Sequence, residues 1–294
     1  FLTLQAQARA WSILFSVFCG VCGWAAVHVI RAARVAEAAR EVATEGEEAR
    51  ISGGDVGMWV LLSACGSGLL LAATNQLCEN LAVVPLLWIV PLALYLITFI
   101  LCFAGAYRRA VWAPLLIAGG GGAVWTLRAV EHPLPLQVAA IVVVLLAGCM
   151  VCHGELVRIR PHANRLTSFY LAVAAGGSLG GMSVALAAPA LLARLWEFPV
   201  FTVLSLVLLM VALYRDPRSR LHRGGLPFAW AGLAIVLGAG AAAFAEQPPE
   251  DSGTEIARTR NFYGILIVAE DDQGAMEPRM RRLLNGRILH GAQF

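Results

Sequence analysis

Long apolar stretches separated by short polar segments dominate residues 1–245 of the chain. A helix needs about 20 mostly apolar residues to cross the hydrocarbon core of a bilayer, and it must satisfy its backbone amides internally. Eight stretches reach or approach this length, so the pattern predicts an all-α polytopic membrane helix bundle of about eight transmembrane helices. The predicted helices lie near residues 10–30, 56–75, 81–103, 111–127, 134–152, 166–191, 198–214 and 227–244.

The pattern changes after residue 245. Residues 246–258 are polar and contain proline, which predicts a linker. Asn261–Val268 and Arg282–Phe294 are rich in Ile, Leu and Val, and a polar turn region separates them. We therefore expect residues 259–294 to form a short β-hairpin that opens a soluble α/β domain. Because the sequence starts at Phe1 and stops inside an apparent strand, we expect it to be a piece of a longer protein.

Composition agrees with a membrane protein. Hydrophobic residues make up 59% of the chain and charged residues 14%, whereas soluble domains are about a quarter charged. The net charge of +3 is small and the arginines are scattered over loops, so we predict a lipid bilayer rather than nucleic acid as partner. The seven cysteines lie in or beside apolar segments, where Cys acts as a small hydrophobe, and they form no disulfide pattern.

Arginines also predict an orientation. The loops after the first, third, fifth and seventh predicted helices contain thirteen arginines, whereas the loops after the second, fourth and sixth contain two. Positive residues favour the cytoplasm, so the arginine-rich loops should be cytoplasmic. An eighth helix would then place the C-terminal domain on the extracytoplasmic side. Arg31–Ala49 is charged and rich in helix formers, which predicts a solvated extension of the first helix.

Two groups of polar residues interrupt the apolar pattern. The first lies where the second predicted helix leads into the third, and it can contact a substrate or ion or can cap the helix in water. Its members are Asn75, Gln76, Glu79 and Asn80. The second group is His153 and Glu155, at the cytoplasmic end of the fifth helix. We expect both to pair with arginines of the next loop, namely Arg158, Arg160 or Arg165.

Other motifs indicate packing rather than chemistry. Cys149-Met-Val-Cys152-His153 has the spacing of c-type haem attachment, but it lies on an apolar helix on the predicted cytoplasmic side, so we reject that interpretation. We predict no catalytic residue and no metal site. Small residues in the sixth helix allow close helix contact or a hinge. They are Gly176, Gly177, Gly180 and Gly181.

Three runs of sequence resemble one known family. Ala72–Phe103, Cys152–Met182 and Arg260–Phe294 are similar to the bacterial membrane-bound spermidine synthase-like proteins, also described as fused major-facilitator/spermidine-synthase proteins. The resemblance implies location in the bacterial inner membrane, with the helices preceding a spermidine synthase-like domain. That domain has a small β-sheet followed by a Rossmann-type core. The core with its catalytic residues would lie outside this chain, which we expect to be inactive alone.

The resemblance also implies a cofactor and substrate-binding residues. Authentic spermidine synthases contact decarboxylated S-adenosylmethionine through a Leu-Asp-Gly-x-x-Gln motif, whose counterpart here is Leu284–Leu289, with Asn for Asp and Leu for Gln. Substrate-binding candidates are Asn285, Gly286, His290 and Gln293. Asn-Gly is also a common hairpin turn. We expect no cofactor in this part of the protein, and decarboxylated S-adenosylmethionine only in the full-length family.

Three functions remain open at this point. The full-length protein can be an aminopropyltransferase-like enzyme tethered by its helices. Alternatively, the helices can form a transport or solute-binding module for a polyamine or another small solute, with Glu79 and Glu155 as counter-charges. The third alternative is a membrane anchor or assembly domain.

Overall fold

The computed structural model describes residues 53–80, 88–128, 132–245, 254–261, 264–271, 280–285 and 288–293, and scattered positions between 5 and 31. Residues 1–51 form a unit of their own. In that unit the described positions are helical, and Ser12–Val21 is a short apolar helix within the predicted first span. The predicted extension Arg31–Ala49 lies outside the described residues, except for Arg31.

Seven helices follow among the described residues of the second unit, and each corresponds to one predicted span. We number them α1 to α7 in chain order. They are α1 Gly53–Asn80, α2 Ile89–Phe103, α3 Arg109–Arg128, α4 Leu134–Arg158, α5 Leu166–Leu191, α6 Glu197–Arg215 and α7 Pro227–Ala245. The helix predicted from residue 81 begins at Ile89 instead, after a turn at Trp88. Residues 81–87 lie outside the described part.

Five of these helices are long and apolar enough to cross a membrane, namely α1, α3, α4, α5 and α6. The sequence predicts about eight transmembrane helices, and five of them reach membrane-spanning length among the described residues. Helix α2 has 15 residues, which at 1.5 Å per residue span roughly 22 Å, less than the roughly 30 Å of a hydrocarbon core. The apolar part of α7, Pro227–Ala243, and Ser12–Val21 are also shorter.

Helices α1 and α4 form the centre of the bundle. Helix α1 packs against α4, α5 and α6, and α4 also packs against α2 and α3. Leu62 and Leu69 of α1 and Leu145 of α4 are fully buried, whereas Ile100 and Leu186 are more than half exposed on the outer surface. Large apolar side chains on the outside of long apolar helices are typical of a lipid-facing surface. The long helices therefore have the length, composition and apolar outer surface of membrane spans.

Contacts at the helix ends show that the helices alternate in direction. Arg215 at the end of α6 donates a hydrogen bond to Asp55 in the first turn of α1, with 2.6 Å between Nη2 and Oδ1. Arg109 at the start of α3 contacts Glu155 near the end of α4. We call this side of the bundle the Arg109 end. The opposite side, where α5 ends and α6 begins, is the Arg260 end.

A four-stranded antiparallel sheet follows α7, in the spatial order β1-β2-β3-β4. The strands are β1 Thr254–Asn261, β2 Gly264–Asp271, β3 Met280–Asn285 and β4 Ile288–Gln293. The predicted linker 246–258 is therefore too long, because β1 begins at Thr254. The predicted segment Arg282–Phe294 divides into two strands, because Asn285 pairs with Ile288, and this pairing confirms the hairpin turn expected at Asn285-Gly286.

Candidate functional site

A buried ion-pair cluster joins three helices at the Arg109 end. The Glu155 side chain is 2% exposed and accepts hydrogen bonds on both carboxylate oxygens from Arg109, at 2.7 Å from Nε to Oε1 and 2.5 Å from Nη2 to Oε2. Tyr107 donates to Oε1 at 2.8 Å. Arg109 also donates to Asp216 Oδ2 at 2.8 Å, and Arg158 donates to the same oxygen at 2.7 Å. Two carboxylates thus balance two guanidinium groups.

Asp216 and Tyr107, the two members of this cluster that lie in loops, have shifted pKa values. Burial alone would raise the pKa of Asp216, but hydrogen bonds from the Arg218 amide and from Arg109 and Arg158 outweigh burial and hold this pKa below its usual range. Burial and the adjacent Glu155 carboxylate raise the pKa of Tyr107, so its phenol keeps its proton and donates a hydrogen bond to Glu155. The cluster can therefore hold α3, α4 and the end of α6 together.

His153 lies in a different environment from Glu155. Its imidazole is 1% exposed, and its Nδ1 lies 3.1 Å from Thr98 Oγ1. It also meets the rings of Tyr95 and Phe99 edge to face. The expected pairing of His153 with a loop arginine is wrong, because residues two apart on a helix point about 200° apart, and only Glu155 faces the arginines. Glu155 does contact Arg158, at 3.7 Å.

The hydrogen bonds around Thr98 define the tautomer of His153. The Thr98 hydroxyl donates its only hydrogen to the Tyr95 carbonyl at 2.7 Å, so its oxygen can only accept from the imidazole. Nδ1 of His153 therefore carries a proton. Tyr95 continues the polar contact to α1, with 3.2 Å between its hydroxyl and Ser67 Oγ. Two polar contacts, joined through the Tyr95 backbone carbonyl, thus connect α2 with α1 and with α4 inside the bundle.

A second buried ion pair lies at the Arg260 end. Arg260 of β1 donates to Glu197 Oε1 of α6 at 2.5 Å, and the two side chains are 4% and 2% exposed. Asn75 of α1 donates to the same oxygen at 3.3 Å. Arg260 also donates to the carbonyl oxygens of Leu192 and Arg194, which follow the end of α5. One arginine therefore connects the sheet with α5, α6 and, through Glu197, α1.

The structure describes the side chains of only two members of the predicted polar group around Asn75. Asn75 makes the contact with Glu197, and Gln76 is half-buried beside it. Glu79 and Asn80 lie in the last turn of α1, but their side chains are outside the described residues. Sequence reasoning missed Glu197 and Arg260. An acidic residue at the start of an apolar span was the available signal, since polar groups there need a partner.

The four glycines of α5 lie against α1 as expected for close packing. A side-chain carbon added at Gly176 or Gly180 would overlap the backbone carbonyl oxygens of Val60 and Ala64. At Gly177 and Gly181 it would meet Ser67 Oγ at 3.3 Å and Leu71 Cδ1 at 3.8 Å. The helix backbones therefore touch at Gly176 and Gly180.

The substrate-binding candidates of the sheet do not converge. Asn285 ends β3 opposite Ile288, whereas Gln293 pairs with Arg281 at the other end of the same hairpin. Five residues of extended strand separate them by roughly 17 Å. His290 and Gln293 are exposed on β4, and Gly286 lies outside the described residues. Within the described ranges, no three His, Cys, Asp or Glu side chains are arranged to hold a metal ion.

Comparison of the chain with protein-family models, with curated proteins and with solved structures found no match in any of the three.

Proposed function

We propose that the chain is the membrane part, with the first β-strands, of a spermidine synthase-like protein. In this proposal the bundle is a platform that holds the soluble domain at a fixed place beside the bilayer. The resemblance of the sequence supports the class. The direct passage from α7 into a sheet supports the domain order. The chain itself contains no residue to which a catalytic role is assigned.

The main support for the proposed platform is the ion pair between Arg260 and Glu197. Withdrawing two charges from water costs several kcal/mol, so such a pair forms where the geometry fixes both partners. In the pairing of β1 with β2, Arg260 lies opposite Ile265 and Arg258 opposite Ile267, and both isoleucines are 4% exposed. The sheet face that bears Arg260 is thus a covered face. A domain on a loose tether would need none of these contacts.

The orientation proposed for the platform follows from the arginines. The Arg109 end carries the arginine-rich connections after α2, α4 and α6, and positive residues favour the cytoplasm. We place that end in the cytoplasm of a bacterium. The Arg260 end and the sheet then lie on the extracytoplasmic side of the inner membrane.

Docking of the sheet is tested by the accessibility of its covered face. In a cysteine-free background, Ile267→Cys should react slowly with a water-soluble maleimide, and Arg260→Gln should speed the reaction at least about tenfold. Leu283→Cys is the matched control, because Leu283 is 39% exposed and should react quickly in both proteins. Fast labelling of Ile267→Cys with Arg260 intact would refute the platform.

The enzyme class needs a separate test. Membranes that contain the full-length protein should transfer the aminopropyl group of decarboxylated S-adenosylmethionine to putrescine, and this chain alone should transfer none. The product is measured with a radiolabelled amine. If the full-length protein forms no labelled spermidine, the class assignment fails and the platform stands on its own test.

Solute binding is a second candidate, favoured by one observation. Ser67, Tyr95, Thr98 and His153 form polar contacts between α1, α2 and α4 inside an apolar bundle, where polar groups are costly and often functional. Under this candidate, Tyr95→Phe and Thr98→Val together should abolish binding of radiolabelled spermidine to the purified bundle. Unchanged binding in the double variant would leave these residues as packing contacts.

A further inference from the structure

Helix α5 changes its helical form before it reaches the Arg260 end. Leu166–Met182 is α-helical, Ser183–Ala187 is a π-helical turn, and Ala188–Leu191 is α-helical again. Ser183 Oγ donates to the Gly180 carbonyl oxygen at 2.7 Å at the start of this turn. Pro189 has no N–H to give to the preceding turn. Such π-turns concentrate where helices bend and where function needs a local adjustment.

The part of α5 before the π-turn is fixed to α1. Gly176 and Gly180 bring the two backbones into contact, so a side chain cannot fit between them. Ser63 Oγ of α1 donates to the Val173 carbonyl oxygen of α5 at 2.6 Å. Movement of this part would require α1 to move as well.

The part after the π-turn is held by the sheet instead. Arg260 binds the carbonyl oxygens of Leu192 and Arg194, the first groups beyond the helix, and its charge lies at the negative end of the α5 dipole. The same guanidinium binds Glu197 in the first turn of α6. Residues 188–197 therefore contact β1 through Arg260 with its three acceptors, and Arg194 adds an ion pair with Glu255 of β1 at 4.0 Å.

We propose that residues 188–197 are a joint that couples the β-sheet to the membrane bundle. A displacement of the sheet is transmitted by Arg260 to this segment and, through the shared Glu197 carboxylate, to Asn75 in α1. The π-turn takes up the movement, while Leu166–Met182 stays on α1. The inference rests on the docking of the sheet proposed above.

Hydrogen exchange of the full chain in lipid nanodiscs tests the joint. Arg260→Gln should increase amide exchange at residues 188–197 at least about tenfold and leave residues 166–182 unchanged. Arg281→Gln is the matched control, because it removes the same charge from an exposed position of β3 and should change neither segment.

A second variant and a second measurement complete the test. If Arg260→Gln unfolds the protein, Arg260→Lys replaces it, since lysine keeps the charge but lacks the planar fork that reaches three acceptors. It should still increase exchange in residues 188–197 selectively. An equal increase in exchange at residues 188–197 and 166–182, or no increase in either variant, would overturn the joint. If labelling of Ile267→Cys shows the sheet docked at the same time, only the joint fails and the platform survives.

Discussion

Arg109 and Glu155 face each other through two parallel hydrogen bonds, although they are 46 positions apart in the sequence. The pair is the centre of the cluster at the Arg109 end. It joins the first residue of α3 to the last turns of α4, and Asp216 extends it to α6. The bundle is thus closed by matched charges at this end and by Arg260 and Glu197 at the other.

Loss of the Glu155 charge should destabilise the bundle strongly. Glu155→Gln leaves Arg109 with one carboxylate in a largely buried site, and breaking such a pair costs about 3–5 kcal/mol. A thermal melt in detergent should show the loss as a lower midpoint. Arg158→Gln is the control, because Arg158 is 40% exposed and exposed pairs contribute about 0–1 kcal/mol. Equal effects of the two variants would contradict this account.

The contribution of Asp216 to the stability of the bundle should be lost in acid. Because the folded-state pKa of Asp216 is lowered, the folded protein binds this proton less readily than the unfolded chain, whose Asp titrates near roughly 3.9. The contribution of Asp216 is therefore present above about pH 4 and is lost as the pH falls through the lower folded-state pKa. The difference in melting midpoint between the wild type and Asp216→Asn should be constant from about pH 8 to 5 and should vanish in stronger acid. A difference that grows with acid would have the wrong sign.

Substitution of neighbouring glycines in α5 should change stability by different amounts, because only one of the two touches the backbone of α1. Gly180→Ala places a methyl group against the Ala64 carbonyl oxygen, and overpacking costs about 1–3 kcal/mol. Gly181→Ala meets only Leu71 at ordinary contact distance and should be neutral or slightly stabilising, since Ala is the better helix former. Thermal melts of both variants in nanodiscs measure this. The opposite order would exclude close backbone contact at Gly180.

The tautomer of His153 can be read directly. Nitrogen-15 NMR of the histidine-labelled protein in lipid should show a proton on Nδ1, because Thr98 Oγ1 can only accept there. Thr98→Val removes the acceptor and should shift the Nδ1 signal, while Thr126→Val, a buried threonine that contacts its own helix, should leave it unchanged. A proton found on Nε2 alone would refute the hydrogen-bond network around Thr98.

Sequence patterning predicts the helices well because apolar length is a local property. Helix α4 nevertheless runs to Arg158, six residues beyond the predicted end at Cys152, since Glu155 is neutralised by arginines and can lie inside the bundle. Strand β1 is missed because its residues TEIARTRN alternate with charges instead of apolar side chains. Arg260 meets its partner Glu197 in the bundle, which a local pattern cannot contain, and Arg258 pairs with Glu255 within the strand.

The partners of the candidate site residues are harder to predict than the helices, because they lie far away in the sequence. Asn75 and Glu155 are visible as polar residues inside apolar spans, and the structure gives both a charged partner. Their partners, Glu197 and Arg109, are at least 46 residues away in sequence. Arg260 is one of many arginines until the fold brings it to Glu197. Pairing of this kind requires the three-dimensional arrangement of helices and sheet.

The arrangement of a membrane bundle with the sheet on the side opposite the Arg109 end is tested most directly by reporter fusions in a bacterium. Alkaline phosphatase, active only outside the cytoplasm, and a fluorescent protein that matures inside should be fused in separate chains after Ser219, between α6 and α7, and after Gln293 in β4. We expect fluorescence only after Ser219 and phosphatase activity only after Gln293. The same reporter active at both points, or the reverse assignment, would contradict the account.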